Sequence, residues 1–167
     1  MADEIINKVA KAQIEQIDLV DFVTKDQLIE IDLKEQLWEE LVLKEKDFRT
    51  WVKEHDWSIY TNQLVCLHCS VDAIIPAWAF MLVTAQLSEV KTIFFADVNE
   101  AKSELFFNNL ESWNTDHLKD KRVMVKGCSN IPNPNKAYVV LTKKLMGIVK
   151  SLMFGEPCSA VPVYKKK

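Results

Sequence analysis

Glycine is scarce in this chain: Gly127, Gly147 and Gly155 are the only three in 167 residues. A dinucleotide fingerprint or a P-loop needs several glycines at fixed spacing so that backbone N–H groups can approach phosphate. Neither pattern can be written here, so no nucleotide cofactor bound by those routes is expected. The nucleophile elbow Gly-x-Ser-x-Gly is missing too, which removes the commonest α/β-hydrolase chemistry. Histidine is equally sparse, and His55, His68 and His117 stand too far apart for a paired-His zinc motif. Positive charge is also short, with 21 Lys and Arg against 24 Asp and Glu and a formal charge of −3. That balance gives no footprint for a nucleic-acid backbone. The one basic run, Lys165-Lys166-Lys167, reads as a solvated and frayed chain end.

No apolar run approaches the ~20 residues that span a bilayer, and "MADEIINKVAKAQIEQIDL" lacks the apolar centre of a signal peptide. The expectation is a cytoplasmic protein with neither nucleic-acid nor membrane partners. Its four cysteines then read as reduced thiols or metal ligands, not as a disulfide framework.

With 49% hydrophobic residues, the chain can bury a full core, and one α/β domain over 1–167 is expected. Short apolar runs of strand length occur at 63–69 ("QLVCLHC"), 91–97 ("KTIFFAD") and 122–128 ("RVMVKGC"). Helical patterns separate them. Residues 76–88 place Ala79, Phe80, Val83 and Leu87 at helical spacing after Pro76. Residues 98–110 follow Asp97, which with Glu100 has the shape of a capping box. Residues 134–153 open with Asn133 as cap and Pro134 in the first turn, and carry Ala137, Leu141, Leu145, Ile148 and Leu152 as one stripe. Strand and helix alternating three times predicts a parallel β-α-β-α-β-α core over 61–167, with strand order 2-1-3. The first 60 residues read as an elaboration: a helix at 4–12, a half-buried strand at 27–33 and a helix over 44–57 that groups Phe48, Trp51 and Val52. No repeat, low-complexity tract or Pro/Gly-rich linker marks a second domain.

The dipeptide Cys-Ser follows a pattern of its own: Cys69-Ser70, Cys128-Ser129 and Cys158-Ser159 account for three of the four cysteines and three of eight serines. Cys66 and Cys69 spell Cys-x-x-Cys, but strand alternation sends their side chains to opposite faces, which leaves Cys66 as an inert core thiol. Cys69 and Cys128 fall at the carboxyl ends of the first and third strands. In order 2-1-3 those ends flank the topological switch point, where ligands bind. Cys158 conflicts with this, because an unbroken helix over 134–153 would deliver it to the amino end of the sheet, unless Gly147 ends the helix early.

Three readings stay open. In the first, Cys69, Cys128 and Cys158 hold a metal, either zinc or an iron–sulfur cluster. Ser70, Ser129 and Ser159 then contact the bound group, and His55 or Asp72 assists. In the second, a thiol enzyme uses Cys69 or Cys128 as nucleophile with His55 as base, Asp72 as a proton acceptor and Lys126 as nearby positive charge. In the third, a non-catalytic binding domain keeps inert cysteines and takes a partner or small-molecule ligand. His68 faces away from Cys69 in all three.

The segments "KEKDFRTWVKEHDW", "CSVDAIIPAWAFML", "KGCSNIPNPNKAYV" and "SLMFGEPCSAVPVYKKK" together resemble the bacterial Domain of Unknown Function 2480 family over nearly the whole chain. The resemblance implies a compact cytosolic α/β protein without an assigned activity. It also singles out the three Cys-Ser pairs and the segment His55-Asp56-Trp57.

Overall fold

The computed structural model describes residues 14–167, so the helix expected at 4–12 lies outside the described residues. The described chain forms two compact units. One comprises residues 14–24 and 103–167, the other residues 25–102. Each has its own sheet and its own hydrophobic cluster.

The second unit is a β-α-β-α-β arrangement of strand β2 (Leu28–Asp32), helix α1 (Glu45–Glu54), strand β3 (Leu64–His68), helix α2 (Ala77–Gln86) and strand β4 (Thr92–Phe94). All pairings are parallel, in the order β2-β3-β4. The central strand explains itself from sequence, since Leu64, Val65, Cys66 and Leu67 are all buried, as a parallel strand covered on both faces must be. Helix α1 buries Phe48 and Val52, and α2 buries Ala79 and Val83, the positions predicted by helical spacing. Phe48, 1% exposed, contributes about 2–3 kcal/mol by this burial.

The first unit starts with strand β1 (Ile14–Ile17). It continues after residue 102 in helix α3 (Val98–Ser112), which carries the chain from the second unit to the first, and in strand β5 (Arg122–Val125), helix α4 (Pro134–Leu145), and strands β6 (Ser151–Phe154) and β7 (Val161–Lys165). Its order is β1-β5-β6-β7, parallel except for the antiparallel β6/β7 pair. Helix starts follow the predicted chemistry. Asp97 Oδ1 accepts from the N–H groups of Asn99 and Glu100 at 2.7 and 2.9 Å, and Asn133 accepts from Lys136 N–H before Pro134 in the first turn.

The mixed α/β class is as expected, but the three-stranded core over 61–167 in order 2-1-3 is not what forms. The strands 64–68 and 92–94 share a sheet with β2, which lies in the segment expected to be an elaboration, while 122–125 belongs to the other sheet. The helix expected over 134–153 also ends early, at Leu145. Gly147 takes φ +83°, a conformation that suits glycine, and "SLMF" becomes β6. This added strand gives β5 its second parallel neighbour. Two of the three terminal lysines are not frayed. Lys165 closes β7, and Lys166 N–H donates to Lys150 carbonyl at 3.0 Å. No helix among the described residues is long and apolar enough to cross a membrane.

Candidate functional site

In each unit the chemistry-bearing side chains collect at the carboxyl ends of parallel strands. In the second unit, register pairs Glu30 with Cys66 and Asp32 with His68, so alternation puts these four side chains on one face. The opposite face carries Ile31, Val65 and Leu67 into the unit's core, with Cys69 packed against them. The two thiols of Cys-x-x-Cys are thus divided, as alternation predicts. Cys66 is fully buried, and burial, with Glu30 and Asp97 adding to it, pushes its thiol up to about 11. Cys69 is half-buried, and its Sγ lies 3.5 Å from the Val71 carbonyl, to which it donates.

Asp32 is the organising group at this strand end. Its Oδ1 accepts from Lys34 N–H and Ser70 N–H, both at 3.0 Å, and Lys34 Nζ stands 3.5 Å from Oδ2. Burial alone would raise its carboxyl, but the Ser70 hydroxyl, the two N–H groups and the nearby His68 outweigh it and hold Asp32 at about 2. His68 Nε2 and Glu30 Oε1 are 2.8 Å apart. Ser70, expected to contact a cofactor, is here a partner of Asp32.

The other two candidates of this unit are His55 and Asp72. His55 terminates α1, its Nε2 is hydrogen-bonded to Tyr60 hydroxyl at 3.0 Å, and its ring packs against Trp51, Trp57 and Tyr60 with centroids 4.6 to 5.7 Å apart. Asp72 is exposed and caps nothing, because α2 starts only at Ala77, after Pro76 at the N-cap.

In the first unit, the loops after β5 and β6 lie together. Gly155 N–H donates to Val125 carbonyl at 2.9 Å, and a Cβ at Gly127 would stand 3.5 Å from the Phe154 ring. Tyr138, one turn into α4, ties the first loop down. Its hydroxyl receives Cys128 N–H at 2.7 Å, donates to Cys128 carbonyl at 3.1 Å and lies 3.4 Å from the Lys126 carbonyl. Lys126 Nζ is 3.6 Å from Asp18 at the end of β1. Cys128 is half-buried, whereas Ser129, Cys158 and Ser159 are exposed. Beside these loops a cleft of about 210 Å³ opens between α4 and strands β5 to β7. It is lined by Val125, Tyr138, Leu141, Thr142, Leu152, Met153, Phe154 and Val163.

Cys158 therefore leaves its sheet from the carboxyl end of β6, the end where Cys128 leaves β5, because Gly147 stops the helix. Cys69 and Cys128 do not converge at a switch point of one sheet, since β3 and β5 belong to different sheets. Among the described residues no group of three or more His, Cys, Asp or Glu side chains is placed to hold a metal ion. Sequence reasoning missed Asp32 and Tyr138. A signal for the first was present: "IDL" occurs at 17–19 and again at 31–33. Each time the Ile closes or nearly closes an edge strand, the Asp caps a short 3₁₀ turn and the Leu is 0% exposed.

Comparison with curated proteins and with solved structures returned no match. A family model does match, and it covers the elements of both units from the first edge strand to β7. It is described as "Protein of unknown function (DUF2480)", it spans residues 3–166, and the chain belongs to that family.

Proposed function

We propose that this protein is a non-catalytic binding protein for a small, mostly apolar molecule, held in the cleft between α4 and strands β5 to β7. The observation that carries the reading is the cleft's lining. Six of its eight side chains are apolar, and one of the two polar ones, Tyr138, is already committed to the loop at 126–128. Thr142 is left to offer a hydroxyl to the ligand. A dry cavity of roughly 150 Å³ accepts benzene, so about 210 Å³ suits a single ring system or a short acyl chain with one polar end. Ligand sites of this kind are largely apolar with few placed polar groups.

The same geometry speaks for inert thiols. Cys66 is buried with its thiol pushed up, and Cys69 donates to a backbone carbonyl beside the core. His55, the expected base, shares its Nε2 with Tyr60.

Titrating indole into the full chain and following backbone amide signals tests the proposal. Saturable shifts confined to residues of α4 and strands β5 to β7, abolished by Val163→Trp, are expected. Absence of saturable shifts there, or shifts unchanged by filling the cleft, would refute it.

A further inference from the structure

We infer that the amino-terminal edge of the first unit's sheet binds a compact oligophosphate, an anion of two or three linked phosphate groups, on a ladder formed by Lys121, Lys150 and Lys166. The three residues are distant in sequence and are aligned by strand register alone. Lys150 N–H donates to Lys121 carbonyl at 2.8 Å, and Lys166 N–H donates to Lys150 carbonyl at 3.0 Å. They therefore occupy one row across β5, β6 and β7. The next row is Arg122, Ser151 and Lys165. Neighbouring strands lie about 4.8 Å apart, so the lysine row spans about 10 Å, a length that linked phosphates can bridge.

Like charges side by side across a sheet are unfavourable, and among the described residues the ion pairs of this row fall at its two ends. Lys121 Nζ pairs with Glu15 at 2.7 Å and Lys166 Nζ with Asp120 at 2.8 Å. Both pairs are exposed and so weak enough for a multivalent anion to displace. Lys150, in the middle, makes no ion pair among the described residues. Asp120 already reports the field at this edge: Lys166 holds its carboxyl below the ordinary range, with Lys119 and Lys150 adding to the effect. A chain of net charge −3 attracts anions only where cations are gathered locally. The two rows themselves carry no aromatic side chain on which nucleobases could stack. The ladder thus reads phosphate charge and not bases.

Sodium tripolyphosphate is the probe, added to the full chain at low ionic strength with calorimetry and amide shifts as readouts. Shifts are expected at 119–122, 148–151 and 164–166, with at least tenfold tighter binding than for monophosphate. Each lysine near an anionic surface contributes roughly fivefold, so K121Q/K150Q/K166Q should weaken binding by roughly a hundredfold. The charge-matched control K46Q/K53Q/K143Q should weaken it little. If the ladder variant fails to fold, K150E alone replaces it, and loss of binding is again expected. Sedimentation with phosphatidylcholine vesicles carrying phosphatidylinositol bisphosphate sorts the source. Protein that pellets and is released by tripolyphosphate assigns the phosphates to a lipid headgroup, and protein that stays soluble while binding tripolyphosphate assigns them to a free anion. Equal binding of mono- and tripolyphosphate, equal losses in the two triple variants, or shifts scattered over all lysines would overturn the inference.

Discussion

Replacing Asp32 by Asn isolates the charge at the best-organised polar point of the second unit. The wild-type carboxyl sits at about 2 against an ordinary 3.8. At about 1.36 kcal/mol per pH unit, that difference amounts to roughly 2 kcal/mol of folding stability at neutral pH. Hydrogen bonding gives the same order. Asn keeps an acceptor for Lys34 N–H and Ser70 N–H, but each bond falls from about 1.5–3 kcal/mol for a charged acceptor to about 1 for a neutral one. The sign is that of a depressed carboxyl. Its contribution is whole above the unfolded value near 3.8 and disappears as pH falls through about 2. The gap between wild type and Asp32→Asn should therefore be constant from pH 7 to about 5 and close to about half by pH 3. Denaturant unfolding followed by tryptophan fluorescence suits this measurement, because Trp38, Trp51, Trp57 and Trp78 all lie in the second unit. A gap below about 0.5 kcal/mol at pH 7, the size of an ordinary surface substitution, would refute the reasoning, as would a gap that does not narrow at pH 3.

Tyr138→Phe leaves Cys128 N–H without its acceptor. It should cost about 1–3 kcal/mol and raise the alkylation rate of Cys128 in native protein, read by mass spectrometry of the labelled peptide. In wild type the exposed Cys158 should label first and the buried Cys66 only on unfolding. Early labelling of Cys66 would show that the β3 packing is wrong. Glu39 and Glu40 both hold positive φ, 51° and 56°, between the bridged residues Trp38 and Val42. Left-handed backbone costs such residues about 1–2 kcal/mol each. Glu39→Asn with Glu40→Gly should thus raise stability by about 1 kcal/mol, seen as a higher denaturation midpoint with an unchanged slope.

The elements were legible because their signals are local. Phe48 and Val52 on α1, the buried run of β3, Asp97 under α3 and Asn133-Pro134 at α4 each follow from spacing or from one cap. Which strands pair was not legible, because pairing is set by contacts distant in sequence. Ile14 to Ile17 align with Arg122 to Val125 across more than a hundred residues, and no periodicity in either segment announces the other. The stripe through Ile148 and Leu152 misled for a related reason. Apolar residues spaced for a helix continue across Gly147, but Leu152 is buried in a strand that follows the turn. A periodicity fitted through a glycine at positive φ joins two elements that the backbone separates.

The Cys-Ser pairs gain a different meaning once the two sheets are laid side by side in topology. In each unit Ile-Asp-Leu joins the end of an edge strand to a 3₁₀ turn, and the strand's parallel neighbour is followed by Cys-Ser, at Cys69-Ser70 after β3 and at Cys128-Ser129 after β5. A helix preceded by Ile and Pro then leads to the third parallel strand, β4 or β6. Two of the three pairs thus mark one topological position in two similar β-α-β frames, while Cys158-Ser159 follows the third strand of its frame. Within each frame the Asp of the edge strand meets the segment around the Cys-Ser: Asp32 accepts Ser70 N–H, and Asp18 stands 3.6 Å from Lys126 Nζ. In the second unit both the N–H and the hydroxyl of Ser70 serve the Asp32 carboxylate, a local side-chain and backbone role that accounts for serine there without a ligand. If that is its role, Ser70→Ala should reduce the stability of the second unit through Asp32 and leave binding in the α4 cleft of the first unit unchanged. A loss of indole binding on Ser70→Ala would instead tie the dipeptide to the ligand.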